Sequence, residues 1–157
     1  MFLVVISELS DVFDGILARK KNQVTDLGKI LDPMADSIFR LSVFLTFTQG
    51  LIKLPLLLVL VFLYRDSIIS TLRTVCALRG VALAARLSGK VKAVIQALTA
   101  ILILVLMIPY SLGYLKLSLL REISLYAVLT AAVYSVFSGI EYVYANRNFI
   151  KKAISGQ

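Results

Sequence analysis

Histidine and tryptophan are absent from this sequence of 157 residues, and cysteine occurs once, as Cys76. Without histidine there is no imidazole general base and no histidine-ligated metal. A single cysteine excludes an internal disulfide and leaves Cys76 as a packing residue. Charge is scarce as well: 17% of the residues are ionisable Asp, Glu, Lys or Arg, against about 25% in an ordinary soluble domain. Acid is the scarcer sign, with 9 Asp and Glu against 17 Lys and Arg. What fills the chain is apolar: 59% of it is hydrophobic, where about 45–50% is usual, and the mean hydropathy is +0.90. Stretches such as 54–63 carry no charge at all. This composition excludes a disordered chain, a disulfide-stapled secreted domain and a cytosolic enzyme. At this length a single domain is expected.

A helix needs about 20 mostly apolar residues to cross a bilayer. Five stretches qualify, at 2–19, 28–50, 55–78, 91–110 and 117–144, so the sequence predicts an all-α, polytopic transmembrane helix bundle. The breaks between them are polar or basic, or carry Gly and Pro, and 146–157 reads as a polar basic tail. The net charge of +8 would suggest nucleic acid in a soluble protein. Here the basic residues flank the spans, so the partner is the lipid bilayer and no nucleic acid is expected. Lys20, Lys21, Lys29, Arg79, Arg86, Lys90, Lys92, Arg147, Lys151 and Lys152 fall on one side, and Lys53, Lys116 and Arg121 on the other. The first group therefore faces the cytoplasm, with the C-terminus inside. Five spans then put Met1 outside, although no basic flank precedes its helix, which leads us to expect an upstream segment.

Ionisable groups within spans are costly and point to function. Asp11 and Asp14 are three residues apart, and Asp32 and Asp36 are four apart, so each pair shares a helix face. A short basic loop returns the second helix antiparallel to the first and can bring the pairs together. Four carboxylates in one volume repel unless a cation or proton compensates them. Hard oxygen ligands without His or Cys select Mg²⁺, Mn²⁺ or Ca²⁺. The plainer alternative is a set of helix-end charges paired with Arg19, Lys20 and Lys29. A second, cationic set lies on the later helices: Arg65 and Arg73 are eight residues apart, about two turns, and Lys90 and Lys92 open the next helix. Arginine pairs bidentately with phosphate, and this set suits an acceptor carrying one. Against that, Arg65 can pair with Asp66, and Lys90 and Lys92 can be simple interfacial anchors. Glu122 and Glu141 read as interface or buried-pair residues, and Ser138-Gly139 as a place where another helix approaches closely.

The aspartates belong to a longer pattern. Asp11-x2-Asp14-Gly15-x2-Ala18-Arg19-x8-Gly28-x3-Asp32-x3-Asp36 resembles, at all eight fixed positions, the signature of the CDP-alcohol phosphatidyltransferase family. Arg65-Asp66-Ser67, Ser70, Arg73, Gly80, Gly89-Lys90-Val91-Lys92 and Gln96 resemble the bacterial phosphatidylglycerophosphate synthases within it, and the likeness covers roughly 5–100. Ser37, where a lysine is usual, and Ala93, where a threonine is usual, depart from that pattern. The resemblance implies six spans in the family, five of them here with the first absent. It implies a two-metal site for Mg²⁺ or Mn²⁺ on Asp11, Asp14 and Asp32, with Asp36 as general base and a possible further ligand. Asp11, Asp14, Gly15, Ala18, Arg19 and Gly28 would hold the CDP moiety. Arg65, Ser70, Arg73, Lys90 and Lys92 would hold the acceptor phosphate. The implied reaction moves the phosphatidyl group of CDP-diacylglycerol to glycerol 3-phosphate. It would proceed at the cytoplasmic face of a bacterial inner membrane, in a homodimer. Inositol phosphate, phosphatidylglycerol and serine serve other enzymes with the same signature. A non-catalytic transporter is the alternative from another class, but it would carry its charges near mid-membrane in repeated halves, and this chain does neither.

Overall fold

The structure is a computed structural model, and it describes residues 26–80, 83 and 86–155. The expected first span and Asp11, Asp14, Gly15, Ala18 and Arg19 lie outside the described residues. Every described element is helical: α1 (Asp26–Thr48), α2 (Leu56–Leu78), α3 (Leu87–Ser111), α4 (Leu117–Ala145) and α5 (Arg147–Ser155). The chain divides into two units, Met1–Phe39 and Arg40–Gln157. Of the first, the structure describes the opening turns of α1, a continuous helix through Gly28 and Asp32 to Asp36. The rest of α1 and all of α2 to α5 form the second unit.

Three ends of the expected spans fall where their punctuation says. Pro55 is the N-cap of α2, with the extended backbone that proline favours before a helix. At the other end of α2, Gly80 takes φ +74° and its N–H donates to the Ala77 carbonyl at 2.9 Å. That left-handed closure suits glycine because a Cβ would crowd the following carbonyl. Lys116 caps α4 after a turn in which the Tyr114 N–H donates to the Pro109 carbonyl at 2.9 Å. α3 starts at Leu87, four residues before the expected 91, because the glycine and lysine of its first turn continue the helix rather than precede it.

Residues 146–157, read as a polar tail, hold instead the helix α5. Its apolar pair Phe149 and Ile150 recurs four residues on as Ala153 and Ile154, the spacing of one helix face. Ile150 is buried with Ile69 and Cys76 of α2, Leu83 and Tyr142 of α4. That contact gives a nine-residue helix, too short to be stable alone, its tertiary support.

The larger core lies at the opposite end. Phe44 and Phe47 of α1, Ile52 and Leu54 of the following turn, Val59 and Phe62 of α2, Ala100 and Ile103 of α3 and Val128, Ala131 and Ala132 of α4 form one cluster. Phe44 packs on Phe62 with ring centroids 5.0 Å apart. The outside is as apolar as the inside: Leu98, Leu102 and Val105 of α3 and Val133, Phe137 and Ile140 of α4 are all exposed. Inside, α4 buries Leu120, Val128 and Tyr142 but otherwise only the small Ser124, Ala131, Ala132, Ser135 and Ser138. Large apolar groups outward and small or hydroxylated ones inward is the pattern of helices packing in lipid. Among the described residues, α3 and α4 are long and apolar enough to cross a membrane. α1 and α2 have the length but carry Asp32, Asp36, Arg40, Arg65, Asp66 and Arg73.

Candidate active site

Between the two apolar clusters of the second unit lies a layer of polar side chains, one stretch from each of three helices. α2 contributes Arg65 and Asp66, α3 contributes Lys92 and Gln96, and α4 contributes Ser135, Ser138 and Gly139. Each group comes about one or two turns from the apolar residues of its own helix, so the layer follows from register. Lys92 is only 4% exposed, and its ammonium donates to both Asp66 oxygens, at 2.6 and 2.8 Å. Arg65, whose side chain is 12% exposed, donates from Nη1 to the same carboxylate at 3.1 Å. Two cations thus share one anion, and the trio carries one uncompensated positive charge.

The second Arg65 terminus, Nη2, donates to the Ser138 hydroxyl at 2.9 Å. That hydroxyl in turn donates to the Ser135 carbonyl at 3.1 Å, which fixes its lone pairs toward the guanidinium. Gly139 makes room for the arginine stem: a Cβ there would stand 3.2 Å from Arg65 Cγ. Gly89 of α3 lies on the other flank, with its Cβ position 3.8 Å from Nη2. Arg65 Nε is buried without a hydrogen-bond partner among the described residues. Arg65 also lines a groove of about 660 Å³ between α2 and α4, walled by Tyr64, Ile68, Val136 and Ile140. At its end, Arg147 stacks 4.2 Å over the Tyr144 ring.

Among the expected acceptor residues, the structure brings Arg65 and Lys92 together through Asp66. Ser70, Arg73 and Lys90 are exposed. The pairing of Arg65 with Asp66, the plain alternative offered by the sequence, is present. Glu141 is a pair residue: it bonds Arg86 at 2.8 Å and accepts from the Ser88 hydroxyl, tying α4 to the start of α3. Sequence reasoning gave Ser138 and Gly139 a packing role and did not connect them to Arg65. One signal was available: the buried positions 120, 124, 128, 131, 135, 138 and 142 of α4 recur every three or four residues, a heptad-like seam.

Of the aspartate quartet, Asp32 and Asp36 are placed by α1 one turn apart on one face of a continuous helix. Two carboxylates so spaced, with no histidine or cysteine adjoining them in sequence, suit a hard divalent cation. Among the described residues no three carboxylate or thiol groups gather, and Asp11 and Asp14 lie outside them.

Comparison with known proteins gives the geometry its family. The family model for CDP-alcohol phosphatidyltransferase matches residues 1–140. A CDP-diacylglycerol–glycerol-3-phosphate 3-phosphatidyltransferase of Bacillus subtilis (strain 168) is 32% identical over 149 residues, 95% of this chain and 74% of the relative. The protein of the same name from Rickettsia typhi is 32% identical over 94% of this chain and 79% of its own length. A cardiolipin synthase (CMP-forming) of Streptomyces coelicolor is 42% identical over a shorter stretch of 69 residues, 44% of this chain and 32% of its own. No solved structure matches. The family is generally metal-dependent. With two described helices able to span a bilayer, and relatives of this kind along nearly its whole length, the chain is an integral membrane protein that belongs to the CDP-alcohol phosphatidyltransferase family.

Proposed function

We propose that this protein transfers the phosphatidyl group of CDP-diacylglycerol to glycerol 3-phosphate, giving phosphatidylglycerophosphate and CMP. The observation that carries the reading is that relatives bearing that activity in their names match 94–95% of the chain, across the stretch that holds the complete aspartate signature. The acceptor hydroxyl oxygen bonds to the phosphorus bearing the diacylglycerol, and the bond from that phosphorus to the oxygen bridging to CMP breaks. Asp36 takes the hydroxyl proton, and CMP leaves with the bridging oxygen. Asp11, Asp14 and Asp32 would hold Mg²⁺ or Mn²⁺, which neutralises the pyrophosphate charge in such transfers. Gly15, Ala18 and Gly28, with little or no side chain, would leave room for the nucleotide, and Arg19 would pair with its phosphates.

The acceptor phosphate goes to the cationic layer. Arg65 retains donors beyond those it spends on Asp66 and Ser138, including the buried Nε. Arg73, two turns on, would supply a second guanidinium, and Ser70 and Lys90 further polar contacts. Lys92 has both its short bonds on Asp66, so its part is to hold the back of the pocket and contribute its charge to the layer. The excess of one positive charge in the trio favours an anionic acceptor over zwitterionic serine. The charge distribution along the loops supports an active site facing the cytoplasm of a bacterial inner membrane, and the family resemblance alone supports a homodimer.

The test is transfer of radiolabelled acceptor into lipid by the full chain reconstituted with CDP-diacylglycerol and Mg²⁺. Glycerol 3-phosphate, inositol phosphate, serine and phosphatidylglycerol are offered separately. Label should enter lipid from glycerol 3-phosphate, with one CMP released per transfer, and stop in excess EDTA. Transfer only to another acceptor would overturn the acceptor and keep the family. Full turnover in EDTA would overturn the metal site.

A further inference from the structure

We propose that Ser138 and Gly139, on the last long helix, are positioning residues for the acceptor: they fix the Arg65 guanidinium in the orientation that receives its phosphate. The inference rests on the reading of Arg65 as an acceptor-binding residue and adds what holds it there. Three contacts determine the arginine. Asp66 takes Nη1 from its own helix at 3.1 Å, Ser138 takes Nη2 from across the bundle at 2.9 Å, and Gly139 admits the stem where a methyl group would stand 3.2 Å from Cγ.

Asp66 alone does not set the direction of the guanidinium, because the two residues are sequence neighbours and the carboxylate is shared with Lys92. Ser138 does, because its hydroxyl is fully buried and its proton is committed to the Ser135 carbonyl. A hydroxyl so constrained can only accept from Arg65, which makes it a directional anchor. With both Nη termini held, the buried and unpartnered Nε–H is left as a donor at a fixed place. A buried donor without a partner is costly, and a phosphate oxygen is the acceptor that would satisfy it. Arginine has several rotatable bonds, and ordering it in advance removes an entropic cost from acceptor binding.

The experiment uses the full chain in lipid vesicles and measures KM for glycerol 3-phosphate, KM for CDP-diacylglycerol and kcat. Ser138→Ala, which deletes the anchor, should raise KM for glycerol 3-phosphate by about tenfold, the worth of one hydrogen bond to a charged group, and leave that for CDP-diacylglycerol in place. Ser138→Thr, which keeps the hydroxyl, should restore it. Gly139→Ala should raise the same KM by displacing the arginine stem. In an Arg65→Ala background neither Ser138→Ala nor Gly139→Ala should have any further effect on it, which a merely structural role would not produce. An equal loss in both backgrounds, or a rise in both KM values together, would overturn the proposal. So would wild-type KM values in Ser138→Ala and Gly139→Ala when Arg65→Ala itself raises the acceptor KM, and the acceptor-pocket reading would survive that result. If Arg65→Ala leaves the acceptor KM unchanged, that reading fails and this one with it. The two substitutions reach Arg65 by different contacts, so either one decides the question if the other does not accumulate.

Discussion

Asp66→Asn should be among the most destabilising single substitutions in the second unit, and the reason is arithmetic of charge rather than packing. One carboxylate takes two contacts from the Lys92 ammonium, at 2.6 and 2.8 Å, and one from Arg65 at 3.1 Å. Asparagine is the same size but leaves two cations side by side with no anion between them. Lys92 is 4% exposed and the Arg65 side chain 12%, so water reaches neither well. Removing one partner of a buried ion pair costs about 3–5 kcal/mol. The Asp66 side chain keeps 23% exposure, and screening there argues for the lower end, about 3 kcal/mol or on the order of a hundredfold in the unfolding equilibrium. Lys92→Met should cost less, about half as much, because Asp66 keeps Arg65 and the methionine fills the lysine's channel. Combining Asp66→Asn with Lys92→Met should cost less than the sum of the two, with a coupling of about 1–3 kcal/mol. The assay is reversible unfolding of the purified chain in mild detergent titrated with a denaturing one, followed by circular dichroism. Asp66→Asn within about 0.5 kcal/mol of the parent, or strict additivity in the double variant, would refute the shared-anion account.

Further outcomes follow from single positions. Asp36→Asn should stop phosphatidyl transfer while leaving CDP-diacylglycerol binding near the parent value, read by paired turnover and binding measurements; normal turnover would remove Asp36 from the chemistry. Arg73→Ala should raise KM for glycerol 3-phosphate by about ten- to a hundredfold through the loss of a charge-assisted hydrogen bond, and an unchanged KM would take Arg73 out of the pocket. Gly80→Ala, at φ +74°, should lower stability by about 1–2 kcal/mol from backbone strain alone, with KM values intact, since a Cβ there meets nothing within 4 Å. Tyr142→Phe should be tolerated or mildly stabilising, because the hydroxyl it removes is buried without a hydrogen-bond partner among the described residues; a loss of several kcal/mol would mean that the hydroxyl has a partner.

The sequence made the helices legible for physical reasons particular to lipid. Polar punctuation is rare in such a chain, so Pro55, Gly80 and Lys116 stand out and mark real ends. α5 escaped because nine residues rich in Lys and Arg carry little hydropathy, and its existence depends on a contact that Ile150 makes with residues far away in the chain. The cationic residues were legible as a set but not as a circuit. Their spacing on α2 was a local matter, whereas Lys92 finds Asp66 26 positions away and Arg65 finds Ser138 73 positions away. No periodicity encodes such a pairing. Lys92 shows the consequence: judged from the helix start it could be an interfacial anchor or a pocket residue, and the structure buries it on a carboxylate.

The last long helix carries the deeper lesson. By charge and motif it adds little, since its buried face holds no ionised group within the polar layer. Yet small size is itself information in a membrane bundle, where helices gain nothing from burying leucine that lipid does not already give. A seam that runs Leu120, Ser124, Val128, Ala131, Ser135, Ser138, Tyr142 thins in its middle, and Gly139 beside it thins it further. Where a helix thins, a neighbour must fill the space, and at this level the neighbour on α2 is an arginine. The hydroxyls belong there for the same reason: a guanidinium carried past an apolar wall needs an acceptor on that wall. The residue types of α4 are therefore the complement of those on α2, small and hydrogen-bonding where α2 is long and charged. Function in this helix is written in what its side chains leave room for.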